Sequence, residues 1–258
     1  MKKTALNGYI VMWMFLPLLV LAHPLSAEET GPTGEYKGFF QVEIKASGLN
    51  RDIIEDLGGG RRDQFSVYST RFFAQVSIKP LSLLEVYVLG GAANLRITNV
   101  SVNRFYGRLG PYYGAGLRIT LYESPVRRTL SIFLNGSISQ ITSKETGALK
   151  TFMDTVENMY RVDEEITWRE YGVMVGGRGR FTFPGAPEGY AGLMISRVEG
   201  KDTFSAPISR TYSVEELGLL SIILGADFYL DPKEIAAINV ELGLGDPLYI
   251  MGGVKLWF

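Results

Sequence analysis

The chemistry open to this chain rests on carboxylates that fall on the polar faces of alternating segments. Two carboxyl groups held together, one protonated and one ionised, can serve as a general acid and a general base. The candidates are Glu43, Glu85, Glu170, Asp227 and Glu241. Arginines and lysines occupy the same faces in similar numbers. We therefore expect ion-paired structural carboxylates here and no catalysis.

Histidine and cysteine are nearly absent from the sequence. The one histidine is His23, and there is no cysteine. A histidine-assisted nucleophile is therefore excluded beyond residue 23, and disulfides and cysteine-ligated metals are excluded throughout. A zinc site made only of carboxylates is uncommon. We expect no metal, no cofactor and no enzyme activity.

The first residues predict export from the cytoplasm. Lys2 and Lys3 precede an apolar run over 10–22, which is too short for the roughly 20 residues of a membrane-spanning helix. A basic start, a short apolar core and a small residue before an acidic stretch are typical of a secretory signal peptide. We predict a signal peptide over 1–27 and a mature domain over 28–258, with an uncleaved anchor as the alternative.

The mature chain carries too little positive charge for nucleic acid. Removing two of the 26 basic residues and none of the 27 acidic ones leaves 24 against 27, a net charge of −3. A nucleic-acid-binding domain usually has a basic surplus. We expect no nucleic-acid partner, and the sequence leaves the oligomeric state open.

Alternation with a period of two runs through the rest of the sequence. In 112–122, Tyr113, Ala115 and Leu117 alternate with glycines and Arg118, as in a strand with one apolar face. Similar segments lie at 36–46, 65–79, 83–97, 110–123, 128–142, 165–183, 189–199, 214–230, 234–244 and 248–258. Short connections alternate with long ones, of which 47–64 and 143–164 are the longest. This predicts an all-β fold, an antiparallel transmembrane β-barrel of about ten strands, with eight or twelve as alternatives and with both termini at the short-turn, periplasmic side.

The polar face of each strand should line the interior, because charges are costly against lipid. By parity this inward set includes Glu43, Arg71, Glu85, Arg118, Glu170, Arg178, Arg180, Asp227, Glu241 and Lys255. The set could fill the barrel with ion pairs or line a narrow aqueous pore. Outward aromatic residues are expected at the membrane interfaces, namely Tyr36, Tyr68, Tyr113, Phe181, Phe183 and Phe228.

The last ten residues carry a resemblance to a known family. Tyr249, Val254, Leu256 and the terminal Phe258 form an alternating strand that ends on an aromatic residue. This segment resembles the C-terminal signature of bacterial outer-membrane β-barrels, and 111–119 resembles the strands of small OmpA-like and opacity-like barrels. The resemblance implies an outer-membrane location, contact with membrane lipids and lipopolysaccharide, and recognition by the barrel-assembly machinery. Outer-membrane proteases, phospholipases and lipid A-modifying enzymes rely on a catalytic histidine, so their activities do not carry over.

One segment has helical spacing within a long connection. Leu149, Phe152, Met153 and Val156 recur at intervals of three and four residues. We expect a short helix over 149–160 that caps the barrel mouth or presents a binding patch. In another connection, Arg61 and Arg62 are candidates for contact with lipopolysaccharide phosphates.

Three functional hypotheses follow from the sequence. The first is a non-enzymatic outer-membrane barrel that acts in surface interaction or envelope integrity through its outer loops. The second is a narrow porin-like channel for small solutes or ions, biased toward anions by its arginines. The third is a periplasmic ligand-binding barrel of lipocalin type, which would place apolar residues inside.

Overall fold

The described part of the chain forms twelve antiparallel strands. The computed structural model describes residues 39–58, 60–97, 104–124, 130–151, 159–180, 187–205, 209–216, 220–231 and 233–258. The strands are β1 (Phe40–Gly58), β2 (Arg61–Leu81), β3 (Leu84–Ile97), β4 (Phe105–Tyr106), β5 (Gly110–Glu123), β6 (Leu130–Thr151), β7 (Met159–Arg180), β8 (Glu188–Ser205), β9 (Arg210–Glu216), β10 (Leu220–Tyr229), β11 (Ala236–Gly245) and β12 (Leu248–Trp257). The predicted signal peptide lies outside these residues. In the part of the chain that the structure describes, no helix is long and apolar enough to cross a membrane.

Ten of these strands close into a ring. The order around the ring is β1-β2-β3-β5-β6-β7-β8-β10-β11-β12, and β12 pairs with β1. The closing pair sets Glu43 opposite Lys255 and Ile44 opposite Val254. A closed ring leaves no unpaired strand edge. The predicted antiparallel barrel of about ten strands is therefore confirmed.

The two ends of the barrel differ. We call the end with Phe40 and Phe258 the terminal end and the opposite end, where the β1–β2 and β6–β7 connections lie, the hairpin end. Strands β6 and β7 have 22 residues each, whereas β11 and β12 have 10. About 10 tilted residues are enough to cross a bilayer. Toward the hairpin end, the long strands therefore extend well beyond the level at which the β11–β12 connection lies.

Above the short β11–β12 hairpin the wall closes with fewer strands. There β9 pairs with β8 on one side and with β1 on the other, Ile53 opposite Glu216 and Asp56 opposite Ser213. Strand β4 pairs with β3, and the residue Arg108 just after it donates its backbone N–H to Lys144 of β6. Among the described residues, the wall at the hairpin end is thus formed by β1, β2, β3, β4, β6, β7, β8 and β9. The interior of an eight-stranded barrel is narrow enough for side chains to fill.

An apolar core occupies this narrowed end. Its members have the same parity as the inward charged residues, so they point into the barrel. The core contains Ile53, Phe65, Val67, Phe73, Ala93, Leu95, Ile97, Phe105, Tyr112, Ile141, Ile166, Trp168, Val198 and Val214. Trp168 and Phe105 are completely buried. The barrel interior is therefore filled by side chains at the hairpin end.

The outer wall carries an exposed apolar belt. Ile44, Val173 and Ile195 are each more than half exposed, and residues of the same kind recur around the ring. Tyr68, Tyr113 and Phe228 also point outward and are exposed, whereas Tyr36, Phe181 and Phe183 lie outside the described residues. Such a belt is expected of a wall that faces lipid.

Several sequence-based boundaries are wrong. The segments 47–64 and 143–164 are mostly strand, because β1, β2, β6 and β7 continue beyond the apolar belt. Likewise β8 and β9 cover most of 200–213, and 214–230 is divided between β9 and β10. Beyond the belt, the outward faces are polar, so the apolar–polar contrast that marks a lipid-facing strand is lost.

The predicted helix over 149–160 is also wrong where the structure describes it. Residues 149–151 end β6 and residues 159–160 begin β7, and 152–158 lie outside the described residues. The pairing of β6 with β7 shifts between Glu145 and Ala148, where Gly147 has a φ of +67°.

Candidate functional site in the barrel interior

Two arginines and two glutamates form an ion-pair cluster next to the apolar core. Arg71 donates two hydrogen bonds to Glu170, at 2.7 and 2.5 Å. Arg51 lies 3.7 Å from Glu170 and 3.1 Å from Glu216. The Arg71 guanidinium also lies over the ring of Tyr112, 5.3 Å from its centre. The cluster ties β1, β2, β7 and β9 together across the interior.

A second group of charges lies toward the terminal end. Asp227 accepts from Lys255 at 3.0 Å and from the Asn239 amide at 2.7 Å. Glu43 pairs with Lys45 on its own strand. All of these charged side chains are at least nine-tenths buried. Charges in this setting are tolerated because each has a partner of opposite sign.

Three further pairs surround this group. Arg118 lies 3.2 Å from Glu85, Arg178 lies 3.0 Å from Glu188, and Arg180 pairs with Glu234. Tyr229 adds a hydrogen bond to Glu188 at 2.7 Å. The ten residues predicted to face the interior all point inward. They are arranged in ion pairs and small clusters along the interior.

Glu241 is held by two tyrosines, and no cation among the described residues pairs with it. Tyr190 and Tyr249 donate their hydroxyls to its two oxygens at 2.5 and 2.6 Å. Each ring lies on a glycine of the neighbouring strand. A Cβ at Gly225 would lie 2.1 Å from the Tyr190 ring, and a Cβ at Gly243 would lie 2.2 Å from the Tyr249 ring. Only glycine leaves room for the rings at these two positions.

A cavity of about 220 Å³ lies between these clusters. We call it the chamber. Arg71 and Tyr112 line it on the side of the apolar core, and Arg118 and Arg178 line it toward the terminal end. Glu241 lines its side wall. The interior therefore contains a mixed polar and apolar space that the apolar core closes at the hairpin end.

A buried acidic cluster lies at the hairpin end, beyond the apolar belt. Lys150 pairs with Glu164 and lies 3.6 Å from Glu145, and Glu55 and Asp202 complete the group. Burial raises the pKa of Glu55 to about 7, and interaction with Glu164 adds to this effect. Burial and the charges of Glu164 and Glu55 raise the pKa of Asp202 well above its usual value. One lysine does not neutralise four acids, so the buried setting favours the protonated forms of Glu55 and Asp202.

Sequence analysis missed Arg51, Glu216, Lys150 and Asp202. Arg51, Lys150 and Asp202 were assigned to connections, and Glu216 was placed in a predicted strand without an inward role. The alternation of Leu49, Arg51, Ile53 and Glu55 continues the inward parity of β1 without a break. That continuation was the signal that could have located Arg51. The pairing of Glu216 with β1 joins distant parts of the chain and has no local signal.

The residues of the predicted C-terminal signature divide between the two faces. Val254, Leu256 and Phe258 point outward and are exposed. Tyr249 points inward to Glu241. The exposed Phe258 ring lies 5.9 Å from the ring of Phe40, next to the strand pair that closes the barrel. Arg62 is exposed at the hairpin end.

The acidic side chains of the predicted inward set are all engaged by other residues. Glu43, Glu85, Glu170 and Asp227 each have a cationic partner, and Glu241 has its two tyrosines. Among the residues that the structure describes, no three acidic or histidine side chains are arranged to hold a metal ion.

Comparison with known proteins identifies the fold only. No protein-family model and no curated protein matches the chain. The outer membrane protease OmpT from Escherichia coli matches with a TM-score of 0.52 and 12% identity, over 90% of this chain and 100% of that chain. The translocator domain of the autotransporter NalP from Neisseria meningitidis matches with a TM-score of 0.46 and 11% identity, over 98% of each chain. An outer membrane channel from Pseudomonas putida F1 matches at 0.37 and 11%, over 89% of this chain and 100% of that chain. At this identity the OmpT match shows a shared barrel fold and carries no information on activity.

Proposed function

We propose that the protein is a non-enzymatic, non-conducting bacterial outer-membrane barrel whose extended hairpin end acts in surface interaction or envelope integrity. The observation that carries this proposal is the apolar core at the hairpin end, where Trp168 and Phe105 are completely buried inside the wall. A pore needs a continuous aqueous path, and this core interrupts it. The sealed end counts against the channel hypothesis.

The outer-membrane location rests on three features. The predicted signal peptide directs export, the exposed belt suits a lipid environment, and the barrel fold is shared with OmpT. The belt also counts against a lipocalin-type barrel, whose exterior is polar. We place the terminal end in the periplasm, because short turns lie there in bacterial barrels. The outward-facing Val254, Leu256 and Phe258 would then be offered to the assembly machinery and to membrane lipid.

The hairpin end would then stand outside the cell. Strands of 19 to 22 residues exceed the roughly 10 needed to cross the bilayer. Their continued pairing gives a rigid β-structured surface in place of flexible loops. Outward charged residues such as Arg197, Glu199 and Lys144 cover it. A rigid, charged projection is suited to contact with lipopolysaccharide or a protein partner.

Complementation of a strain that lacks the protein tests this role. Glu145 and Glu164 are opposite each other in the β6–β7 pair, so replacing residues 146–163 by an Asn-Gly turn shortens this hairpin while keeping the strand register. We expect the full chain, but not the shortened one, to restore detergent resistance or surface binding. A heat-modifiable gel band serves as the folding control. Full restoration by the folded, shortened barrel would refute a role for the hairpin end.

A further inference from the structure

Three side chains lie between the chamber and the terminal end of the interior. Arg118, Phe133 and Arg178 line the chamber and also a smaller cavity of about 50 Å³. The smaller cavity reaches Ser82 and Leu84 at the β2–β3 turn, which places it at the terminal end. We call these three residues the throat. A solute from the terminal end reaches the chamber by passing them.

The two throat arginines have hydrogen-bond donors to spare. Arg118 contacts Glu85 through Nη1 alone, at 3.2 and 3.4 Å, and its buried Nε has no partner in the part of the chain that is described. Arg178 pairs with Glu188 through Nε. The side chains are 24% and 23% exposed although they lie inside the barrel. Both guanidinium groups are therefore partly open to the barrel interior, although the Nε of Arg118 is itself buried.

An oxyanion is the ligand that suits these donors. A guanidinium presents five N–H groups in a fixed fork that matches carboxylate and phosphate oxygens. A buried donor that is left unpaired is unfavourable, so an acceptor that reaches it is stabilised. Glu85 and Glu188 hold one edge of each arginine in place. The remaining edges can then bind a guest without rearrangement of the wall.

The neighbouring wall is apolar and adaptable. Phe133 packs in a cluster with Met174, and Met194 packs against that cluster. The Arg118 guanidinium lies 5.5 Å from the centre of the Phe133 ring. Methionine side chains adjust to irregular apolar shapes. A ligand with its anionic group on the arginines would place an apolar body against this wall.

We propose that the throat and chamber bind a small amphiphilic oxyanion, a carboxylate or phosphate monoester on a short apolar body, which enters from the terminal end. The chamber volume of about 220 Å³ is below the 300–1,000 Å³ of pockets for drug-sized ligands, so the guest is compact. Binding does not require an open hairpin end, because the ligand enters and leaves through the terminal end. The proposal therefore adds a binding site to the surface role proposed above and does not depend on it.

Titration of the refolded full-length barrel in maltoside detergent tests the site, with octanoate as the probe and calorimetry as the readout. We expect saturable binding of octanoate, and binding at least about tenfold weaker for octanol, which lacks the anion, and for acetate, which lacks the body. Hexyl phosphate compared with inorganic phosphate repeats the comparison for the other oxyanion. Equal binding of octanoate and octanol, or no binding to the folded barrel, would overturn the proposal.

Variants then locate the site. We expect Arg118→Gln and Arg178→Gln each to weaken octanoate binding by about tenfold or more, and Arg197→Gln, on the outer wall, to leave it unchanged. Because Arg118→Gln unpairs Glu85, the double variant R118Q/E85Q restores charge balance if the single one does not fold. Unchanged affinity in the folded throat variants, or an equal loss in Arg197→Gln, would overturn the assignment.

Discussion

Arg71 of β2 and Glu170 of β7 are joined by two hydrogen bonds, at 2.7 and 2.5 Å, although three strands of the ring separate them. The contact spans 99 positions of sequence. Both side chains are largely buried, at 6% and 12% exposure. This pair therefore holds opposite parts of the wall together beneath the apolar core.

Removing one partner of this pair should cost more than removing an exposed charge. In Glu170→Gln the Arg71 guanidinium stays buried without its counter-ion, so we expect about 3–5 kcal/mol of lost unfolding free energy. Tryptophan fluorescence during guanidinium unfolding measures the change. Glu199→Gln, which breaks an exposed pair with Arg197, should cost less than about 1 kcal/mol. Equal losses would contradict the bracing role.

Trp168 should dominate the stability of the hairpin end. Its side chain is completely buried in the apolar core, so Trp168→Ala removes a large buried volume and should cost about 3–5 kcal/mol. Gly200→Ala should destabilise the same core, because a Cβ there would lie 2.6 Å from the Trp168 Cβ. Protease resistance of the hairpin end measures both effects. Wild-type resistance in Trp168→Ala would show that the core does not hold this end together.

The glycine beneath Tyr190 should be intolerant of a side chain. A methyl group at Gly225 would lie 2.1 Å from the ring, so Gly225→Ala should displace Tyr190 from Glu241 and cost about 1–3 kcal/mol. Gly136→Ala is the matched control, since a Cβ there meets no atom within 4 Å. Chemical unfolding compares the two variants. Similar stability of both would contradict the ring placement.

The sequence predicted the wall more fully than the interior. Within the belt, parity alone assigned Arg71 and Lys255 inward and Ile44 and Val254 outward, because lipid imposes an apolar outer face. Beyond the belt both faces are mixed, so β1 and β6 were ended too early. Inward and outward residues alternate there as well, as the inward Arg51 and Ile53 show. The alternation could not be recognised in the sequence, because the outward face no longer consists of apolar residues.

The narrowing of the barrel could not be predicted locally. It depends on β9 pairing with β1, which joins Glu216 to Ile53 across most of the chain. No turn or alternation near either residue signals that contact. The same pairing brings Glu216 to Arg51. The sequence therefore predicted inward positions for Arg71 and Glu170 of this cluster, but not for Arg51 and Glu216.

The buried acids at the hairpin end should make stability depend on pH. The pKa of Glu55 is about 7 in the folded state against 4.5 as the usual value. A raised acid pKa means that the unfolded state loses its proton first, so stability falls as pH rises from about 4.5 to about 7. The loss is about 3 kcal/mol for such a shift.

Guanidinium midpoints at pH 5 and pH 8 measure this dependence, and we expect the higher midpoint at pH 5. The groups that face Glu55 are Asp202, Glu164, Asp63 and Lys150. Asp202→Asn removes a second buried acid whose pKa is raised in the folded state, so it should reduce the difference, whereas Glu199→Gln on the outer wall should not. A higher midpoint at pH 8, or a difference unaffected by Asp202→Asn, would contradict the buried cluster.

Planar-bilayer conductance of the refolded mature barrel tests most directly whether the interior is sealed. We predict no discrete conductance steps from a preparation whose heat-modifiable band shows folded barrel. A variant with Trp168→Ala and Phe105→Ala lacks the two largest completely buried side chains of the apolar core. It should produce conductance steps if it remains folded. Discrete steps from the wild-type barrel would contradict the sealed hairpin end and favour a channel.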